Sequence, residues 1–219
     1  AADLFETYTV TLIAAMLLGS AIFMGSNAAI LLPILLGSVA IWASIIGFYF
    51  VRINVKKPLA DGSGQVMWGL YKGLIASGIL SAAGFYWGIS ELVASPGNNG
   101  KDFFSNVVKI PGKPINYFWA SLVGLAVVLA IVLITEYYTS KKFRPVKSIA
   151  KSSESGHGTN VIMGLAMSLE STALPSLVIA FGAYAAFQFA GLYGVALAAV
   201  SMLSMAGIIV AIDAYGPIT

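Results

Sequence analysis

The sequence has 219 residues, of which 58% are hydrophobic and only 10% charged, whereas an ordinary soluble domain carries about 25% charged residues. It contains no cysteine, which excludes disulfides and thiolate metal sites, and its net charge of +3 comes from basic residues grouped in two loops. Nucleic acid is not expected as a partner, because its binding favours a basic stripe interleaved with aromatic residues.

Long apolar stretches, interrupted by Gly, Pro and charged residues, predict a protein that crosses a membrane several times. A crossing of about 30 Å of hydrocarbon needs about 20 residues, and only helices satisfy their backbone amides within runs of this length. We expect an all-α, polytopic membrane helical bundle of about six helices, forming one transmembrane region over 1–219. The predicted spans are 3–25, 28–51, 66–93, 115–138, 160–182 and 185–212.

The first span opens with two carboxylates, Asp3 and Glu6, which are three residues apart. On a helix they share one face, and two like charges there repel unless a cation or a proton intervenes. The pair is therefore a candidate ion-binding site. The spacing fits equally well an ordinary helix N-terminus, where the helix dipole favours acidic residues.

The basic residues predict the orientation of the spans. Loops 52–65 and 139–159 lie on one side and hold eight Lys and Arg, whereas the other side holds three, in loop 94–114. The positive-inside rule places the first side in the cytoplasm, and both chain ends then lie toward the cytoplasmic half. The basic loop 139–159 also suits anionic lipid or an anionic substrate, although orientation signalling alone explains it.

Two charged residues lie inside predicted spans further along the chain. Lys72 is about one turn inside the third span, from where its side chain reaches the interface. Glu170 is near the middle of the fifth span, and Pro175 removes a backbone hydrogen bond that Ser171 or Thr172 can compensate. Glu170 is a candidate intramembrane polar site, either lining an ion path or protonated and hydrogen-bonded between helices.

The segment 155–160, SGHGTN, places glycines just before a predicted helix start. Backbone amides there could hold a phosphate, but the lysine of a Walker motif is missing. A plain N-cap at Thr159 or Asn160 is the simpler interpretation, with His157 as a solvated loop residue.

The last predicted span contains small residues four apart, Ala190, Gly194 and Ala198, which predict close helix packing inside a bundle. Asp213 follows near the end of this helix. Because the sequence opens without Met or a basic signal stretch and stops soon after Asp213, we expect an internal fragment of a larger protein.

Three segments in this order resemble the membrane-bound, ion-pumping pyrophosphatases: ADLFETY at 2–8, TNVIMGLA at 159–166 and AIDAYGPIT at 211–219. The short segments FRPV at 143–146 and AGLYG at 190–194 add to the resemblance, which spans the whole chain. It implies a homodimer whose subunit has roughly sixteen helices, of which this chain supplies the sixth to eleventh. It also implies Mg²⁺-assisted hydrolysis of pyrophosphate at the cytoplasmic face and outward transport of H⁺ or Na⁺, in the inner membrane of a cell.

The resemblance extends to single residues. Asp3 is similar to the gate aspartate of the family, Glu6 to a glutamate whose position varies with the transported ion, and Asp213 to an acidic residue that supports the active site. The Mg²⁺-binding aspartates are expected outside the chain, so no catalytic or metal-binding residue is assigned within it, and the chain alone is expected to be inactive.

The choice of ion and the class of function stay open at this point. Segments 3–8 and 168–175 are more similar to the potassium-independent H⁺ pumps, so H⁺ is the preferred ion and Na⁺ the alternative. The residues that set potassium dependence are expected beyond Thr219. A non-enzymatic cation channel or transporter core, or a purely structural membrane subunit, would belong to a different class.

Overall fold

The computed structural model describes residues 2–24, 26–51, 63–93 and 110–215, with side chains for 5–24, 26–51, 69, 71–93 and 110–211. These residues form helices and turns, apart from one isolated bridge between Val93 and Ile110. The predicted all-α fold is confirmed. In chain order the helices are α1 (Ala2–Ile22), α2 (Asn27–Tyr49), α3 (Ser63–Leu92), α4 (Pro114–Thr139), α5 (Arg144–Ser153), α6 (His157–Ser204) and α7 (Ala206–Tyr215).

Five segments of the described chain are long and apolar enough to cross a membrane, which confirms a multi-pass membrane protein. They are Phe5–Ile22, Asn27–Tyr49, Tyr71–Leu92, Pro114–Ser153 and His157–Ala211. The last of them has 55 residues, more than two crossings need at about 20 residues each. A break in the helical backbone divides this segment. It is therefore long enough for two crossings and contains a point at which the chain can turn between them.

The break lies at Ala190 and Gly191, which leave helical geometry inside α6. The sequence had predicted a turn near 183–184, but the helix continues through that point, where Gly182 lies against Val127 of α4. Gly191 adopts a φ of 62° and a ψ of −155°, a region open essentially to glycine. The turn therefore occurs seven residues later than the apolar pattern indicates.

The predicted loop 139–159 is largely helical, because it contains α5. Pro145 occupies the first turn, where a missing N–H costs nothing, and Lys151 occupies the last turn, where a cation stabilises the helix dipole. The helix packs against α6 and, less extensively, against α4. The charged residues therefore indicated a loop where the chain forms a short helix packed against its neighbours.

The most extensive contact between helices joins α4 to α6 and depends on small residues. A methyl group added at Gly124 would overlap the backbone carbonyl of Ala198, so the two helices touch backbone to backbone. Gly194 and Ala198 are buried, as their spacing predicts, whereas Ala190 lies at the break and is half-buried. In a bilayer, such close approach stabilises helix pairs through dispersion contacts rather than through the exclusion of water.

One end of the bundle is organised around buried Tyr193. Its hydroxyl donates a 2.7 Å hydrogen bond to the carbonyl of Ala29, and its ring packs edge-on against Phe23 and Tyr117. A methyl group added at Gly19 would overlap both Ala29 and Tyr193. We call Gly19, Phe23, Ala29, Tyr117 and Tyr193 the tyrosine junction; it joins α1, α2, α4 and α6.

The hydrogen bond within the tyrosine junction has a cause in the sequence. Pro33 lies four residues after Ala29 in α2 and has no N–H, so the Ala29 carbonyl lacks its usual intrahelical donor. A buried carbonyl without a donor is costly, and the Tyr193 hydroxyl supplies the missing bond.

Candidate functional site

The first candidate region lies at the opposite end of α1 from the tyrosine junction, where Glu6 is exposed. α1 begins at Ala2, so positions 3 and 6 lie within one helix and three residues apart, as the paired-carboxylate hypothesis requires. The side chain of Asp3 lies outside the described side chains. The pairing of the two carboxylates therefore stays a prediction.

At the same end of α1 is an open cavity of about 640 Å³ that the sequence did not reveal, and Glu6 is not among its lining residues. Phe5 and Tyr8 of α1 line one side, and the second half of α2 lines another. The remaining wall comes from the end of α6 and from α7. The full lining is Phe5, Tyr8, Ile41, Ser44, Ile45, Phe48, Tyr49, Leu203, Ser204, Ala206, Gly207, Ile208, Val210 and Ala211.

Small residues allow these helices to enclose the cavity. A methyl group added at Gly37 would overlap the hydroxyl of Tyr8, so that ring lies directly on α2. The lining is mostly apolar, and the hydroxyls of Tyr8, Ser44, Tyr49 and Ser204 are its polar groups. No carboxylate is among the lining side chains, and Glu6 lies on a neighbouring face of α1.

The cavity also relates the two ends of the chain. α7 contributes residues up to Ala211 to the lining, and Asp213 follows within the same helix. α1 and α7 therefore contribute to the same cavity, and Asp213 follows the last lining residue of α7 by two positions. The side chain of Asp213 lies outside the described side chains, so its role near an active site stays a prediction.

Glu170 lies elsewhere, on an exposed part of α6. It is 19 residues before the end of the regular helix at Phe189, a rise of about 28 Å, which is close to the hydrocarbon thickness. Its carboxylate also lies near enough to Tyr138, at the end of α4, for the two to interact electrostatically. Glu170 thus sits nearer the end of a crossing than the middle, because α6 continues past residue 182.

The hydroxyls around Pro175 do not bind the carbonyl that this proline leaves without a donor, which is that of Ser171. Ser171 and Thr172 donate instead to the carbonyls of Ser168 and Leu169, at 2.7 and 2.8 Å. Ser176 donates to the carbonyl of Thr172 at 2.8 Å. The predicted compensation by Ser171 or Thr172 is therefore wrong, since each hydroxyl reaches the carbonyl three residues before it.

The predicted N-cap is also wrong. α6 begins at His157, earlier than Thr159 or Asn160, and its N-cap is Gly156, whose φ is 124°. Thr159 has a different role: its hydroxyl donates to the carbonyls of Gly156 and Ser152, at 2.8 and 3.0 Å. Thr159 therefore ties the start of α6 to the end of α5, and His157 is an exposed helix residue rather than a loop residue.

Two further carboxylates, which are not among the sequence-predicted candidates, lie within the predicted spans. Glu136 of α4 accepts a hydrogen bond from the hydroxyl of Tyr71 in α3. Glu91, near the end of α3, has one buried carboxylate oxygen without a hydrogen-bond partner. Both lie two residues from the end of a predicted span, where an acidic residue is ordinarily taken as interfacial. The rule that flags ionisable residues in spans would have found them.

The described side chains do not fit a Mg²⁺ site on their own. Mg²⁺ prefers oxygen ligands, chiefly carboxylates, in an octahedral arrangement. Among the described residues no group of three or more His, Cys, Asp or Glu side chains could hold a metal ion.

Comparisons with known proteins identify the family. The model of the inorganic H⁺ pyrophosphatase family matches residues 1–219. The chain is 43% identical to a K(+)-insensitive pyrophosphate-energized proton pump of Methanosarcina mazei, over 100% of this chain and 30% of that relative. It is 44% identical to pyrophosphate-energized proton pump 2 of Rhizobium leguminosarum bv. trifolii, over 88% of this chain and 84% of that sequence.

A more distant relative has a similar name. The chain is 37% identical to K(+)-insensitive pyrophosphate-energized proton pump 2 of Moorella thermoacetica, over 100% of this chain and 30% of the relative. The chain thus spans about 30% of the length of the Methanosarcina and Moorella relatives. The resemblance carried by segments 2–8, 159–166 and 211–219 is confirmed, because the chain belongs to the inorganic H⁺ pyrophosphatase family.

Proposed function

We propose that this chain is part of a pyrophosphate-energised ion pump, in which hydrolysis of pyrophosphate on the cytoplasmic side drives H⁺ outward. The observation that carries the proposal is an open cavity at the end of α1 that bears Glu6, lined by helices from both ends of the chain. The family match over the whole chain and the names of the relatives support it.

Glu6 would serve as the proton-binding group of a gate. The carboxylate is exposed near the cavity, on a different face of α1 from the one that Phe5 and Tyr8 present to it. Asp3, three residues earlier on the same helix, would add a second negative charge and strengthen this binding. Transport then requires that the site bind and release its ion in alternation.

Pyrophosphate and Mg²⁺ would be held mainly by parts of the whole protein that lie outside the described residues, with Asp213 as acidic support on α7. Mg²⁺ would neutralise charge on the pyrophosphate and polarise its phosphoryl oxygens. Because two of the relatives are named K(+)-insensitive, we propose a pump that needs no K⁺. The homodimer, and an inner membrane as its location, rest on the family resemblance alone.

The orientation is part of the proposal. Loops 52–65 and 139–159 would be cytoplasmic, because together they carry eight of the twelve basic residues. The end of the bundle that carries Glu6 and α7 would then face the cytoplasm, and the tyrosine junction would lie toward the outside. A cysteine at Ser153 should react with an impermeant reagent from the cytoplasmic side only, and one at Asn98 from the outside only.

The proposal is tested by measuring hydrolysis and ion uptake in the same vesicles containing the full-length protein. In Glu6→Gln the side chain keeps its shape but loses its titratable charge. We expect most of the hydrolysis to remain, while H⁺ transported per pyrophosphate falls by about tenfold or more. The matched control is Glu154→Gln, at the exposed end of α5, which should leave both quantities unchanged.

Three outcomes would contradict parts of the proposal. An unchanged transport ratio in Glu6→Gln, with and without Na⁺, would show that Glu6 is only a helix-end charge. Uptake of Na⁺ instead of H⁺ by the parent protein would favour the Na⁺ pump. Ion flux down a gradient without hydrolysis of pyrophosphate would favour the non-enzymatic channel or transporter.

A further inference from the structure

The basic residues of α5 lie on one face of an ordered helix. Arg144, Lys147 and Lys151 are spaced by three and four residues, so they fall within about 60° of one another around the helix axis. All three side chains are exposed. They extend over about 10 Å along the axis, and the one acidic residue next to them is Glu154, the exposed C-cap of α5.

The opposite face of α5 fixes the direction in which these cations point. Pro145 is buried, and Val146 and Ile149 are partly buried where the helix packs against its neighbours, chiefly α6. The Thr159 hydroxyl holds the carbonyl of Ser152, at the end of α5, at 3.0 Å. The helix therefore cannot rotate its basic face inward without losing this contact and exposing its apolar side chains.

Aromatic residues locate α5 relative to the membrane. Tyr137 and Tyr138, in the last turn of α4, lie with ring centroids 5.1 Å apart, and Tyr137 lies 5.2 Å from Phe143. Clusters of aromatic side chains at the end of a spanning helix are typical of the membrane–water interface. Since four residues separate α4 from α5, the basic face begins within about 18 Å of the end of a spanning helix.

We propose that the basic face of α5, formed by Arg144, Lys147 and Lys151, binds the headgroups of anionic phospholipids in the membrane that α4 crosses. A phospholipid headgroup offers a phosphate at the depth where the aromatic cluster ends, and Arg and Lys are strong donors to phosphate oxygens. Lipid binding at this surface is separate from ion pumping, and its test does not depend on the role of Glu6.

Orientation signalling alone does not require this arrangement. The positive-inside rule counts basic residues in a loop, wherever their side chains point. Binding to a lipid surface, in contrast, requires that the cations face the same way and close to the bilayer. Each basic residue near an anionic surface contributes a binding preference of about fivefold, which salt reduces.

The test uses the full-length protein reconstituted in phosphatidylcholine, with a fluorophore on Ser153→Cys at the end of α5. The chain has no cysteine of its own, and any cysteine elsewhere in the protein is replaced by Ser. Nitroxide-labelled phosphatidylglycerol or phosphatidylcholine is then added as the quencher. Three residues at about fivefold each multiply to about a hundredfold, so we expect phosphatidylglycerol to quench at least about tenfold more strongly per mole at low ionic strength.

The variant Arg144→Gln/Lys147→Gln/Lys151→Gln should bring this ratio close to one. The control Arg52→Gln/Lys56→Gln/Lys57→Gln removes the same charge from the other basic loop and should keep the ratio of the parent. An unchanged ratio in the first variant, or an equal loss in the control, would overturn the proposal. Full competition by free inorganic phosphate would also overturn it, by assigning the face to a soluble anion.

Discussion

Replacing Tyr193 by Phe would remove one hydroxyl from the centre of the tyrosine junction and leave the ring in place. The ring contacts with Phe23 and Tyr117 are apolar, so they persist, whereas the carbonyl of Ala29 loses its donor. Pro33 provides no N–H to that carbonyl, which is buried in α2. The variant therefore isolates the cost of one unpaired backbone acceptor.

The expected cost follows from the surroundings of this bond. A buried acceptor without a partner costs about 1–3 kcal/mol, but hydrogen bonds between membrane helices average about 0.6 kcal/mol, with a maximum near 1.7. The Ala29 carbonyl has no intrahelical alternative, so we place Tyr193→Phe at the upper end of the membrane range, near 1.5 kcal/mol. The measurement is reversible unfolding of the full-length protein in mixed micelles.

A double-mutant cycle tests the reason as well as the magnitude. Pro33→Ala restores an N–H that can donate to the Ala29 carbonyl, so Tyr193→Phe should cost only about 0.5 kcal/mol in that background. Tyr184→Phe is the matched control, because Tyr184 lies on the same helix but is 64% exposed, and it should change stability by less than about 0.5 kcal/mol. Equal costs of Tyr193→Phe with and without Pro33 would refute the reasoning.

Three further predictions concern packing, polar contacts and activity. Gly124→Ala should destabilise the protein by about 1–3 kcal/mol, because the added methyl group overlaps the Ala198 backbone. The control Gly164→Ala, whose methyl group meets nothing within 4 Å, should be neutral or stabilising. Equal effects of the two variants in unfolding measurements would contradict this packing. Tyr71→Phe should lower the free energy of unfolding by about 1–2 kcal/mol, since the Glu136 carboxylate loses its hydrogen-bond donor. The control is Tyr86→Phe at an exposed position, and an equal effect of the two variants would contradict the Tyr71–Glu136 hydrogen bond. The 219-residue chain expressed alone should hydrolyse no pyrophosphate above background, and clear Mg²⁺-dependent turnover would contradict its dependence on the rest of the pump.

The features that depend on composition were predictable from the sequence. Apolar runs of about 20 residues exclude a soluble fold and predict helices, because hydrocarbon offers no partner to the backbone. The small residues Gly194 and Ala198 predicted a buried helix, because residues four apart lie on one helix face and allow a neighbouring helix to approach closely. The family followed from short segments, which need no knowledge of packing.

The position of the break in α6 was not predictable in this way. The sequence has 23 glycines, and both Gly182 and Gly191 were eligible to end a helix. Gly182 stays helical where it lies against Val127 of α4, whereas Gly191 leaves helical geometry beside the tyrosine junction. Contacts between residues far apart in sequence decide between the two, and no local pattern contains them.

The candidate site was partly predictable for a related reason. Glu6 was recognisable because an ionisable residue near a span is costly and its spacing from Asp3 is local. The cavity beside it depends on how α1, α2 and α7 meet, and the pairing of Tyr71 with Glu136 depends on how α3 meets α4. Both features depend on tertiary packing. The sequence therefore identifies the charged residues but does not predict which residues contact them.

The two ends of α1 differ in how extensively this part of the chain packs against them. Ala15 and Gly19 are its buried residues among positions 5–22, and Gly19 lies within the tyrosine junction. From Phe5 to Ala14 no residue is buried, and Phe5 and Tyr8 face an open cavity. A helix that is fixed at one end and lightly packed at the other tilts most easily about the fixed end. The carboxylate of Glu6 lies about 20 Å from Gly19 along the axis, where a small tilt produces the largest displacement. The gate proposed for Glu6 therefore lies at the end of α1 where movement meets the least resistance from this part of the chain.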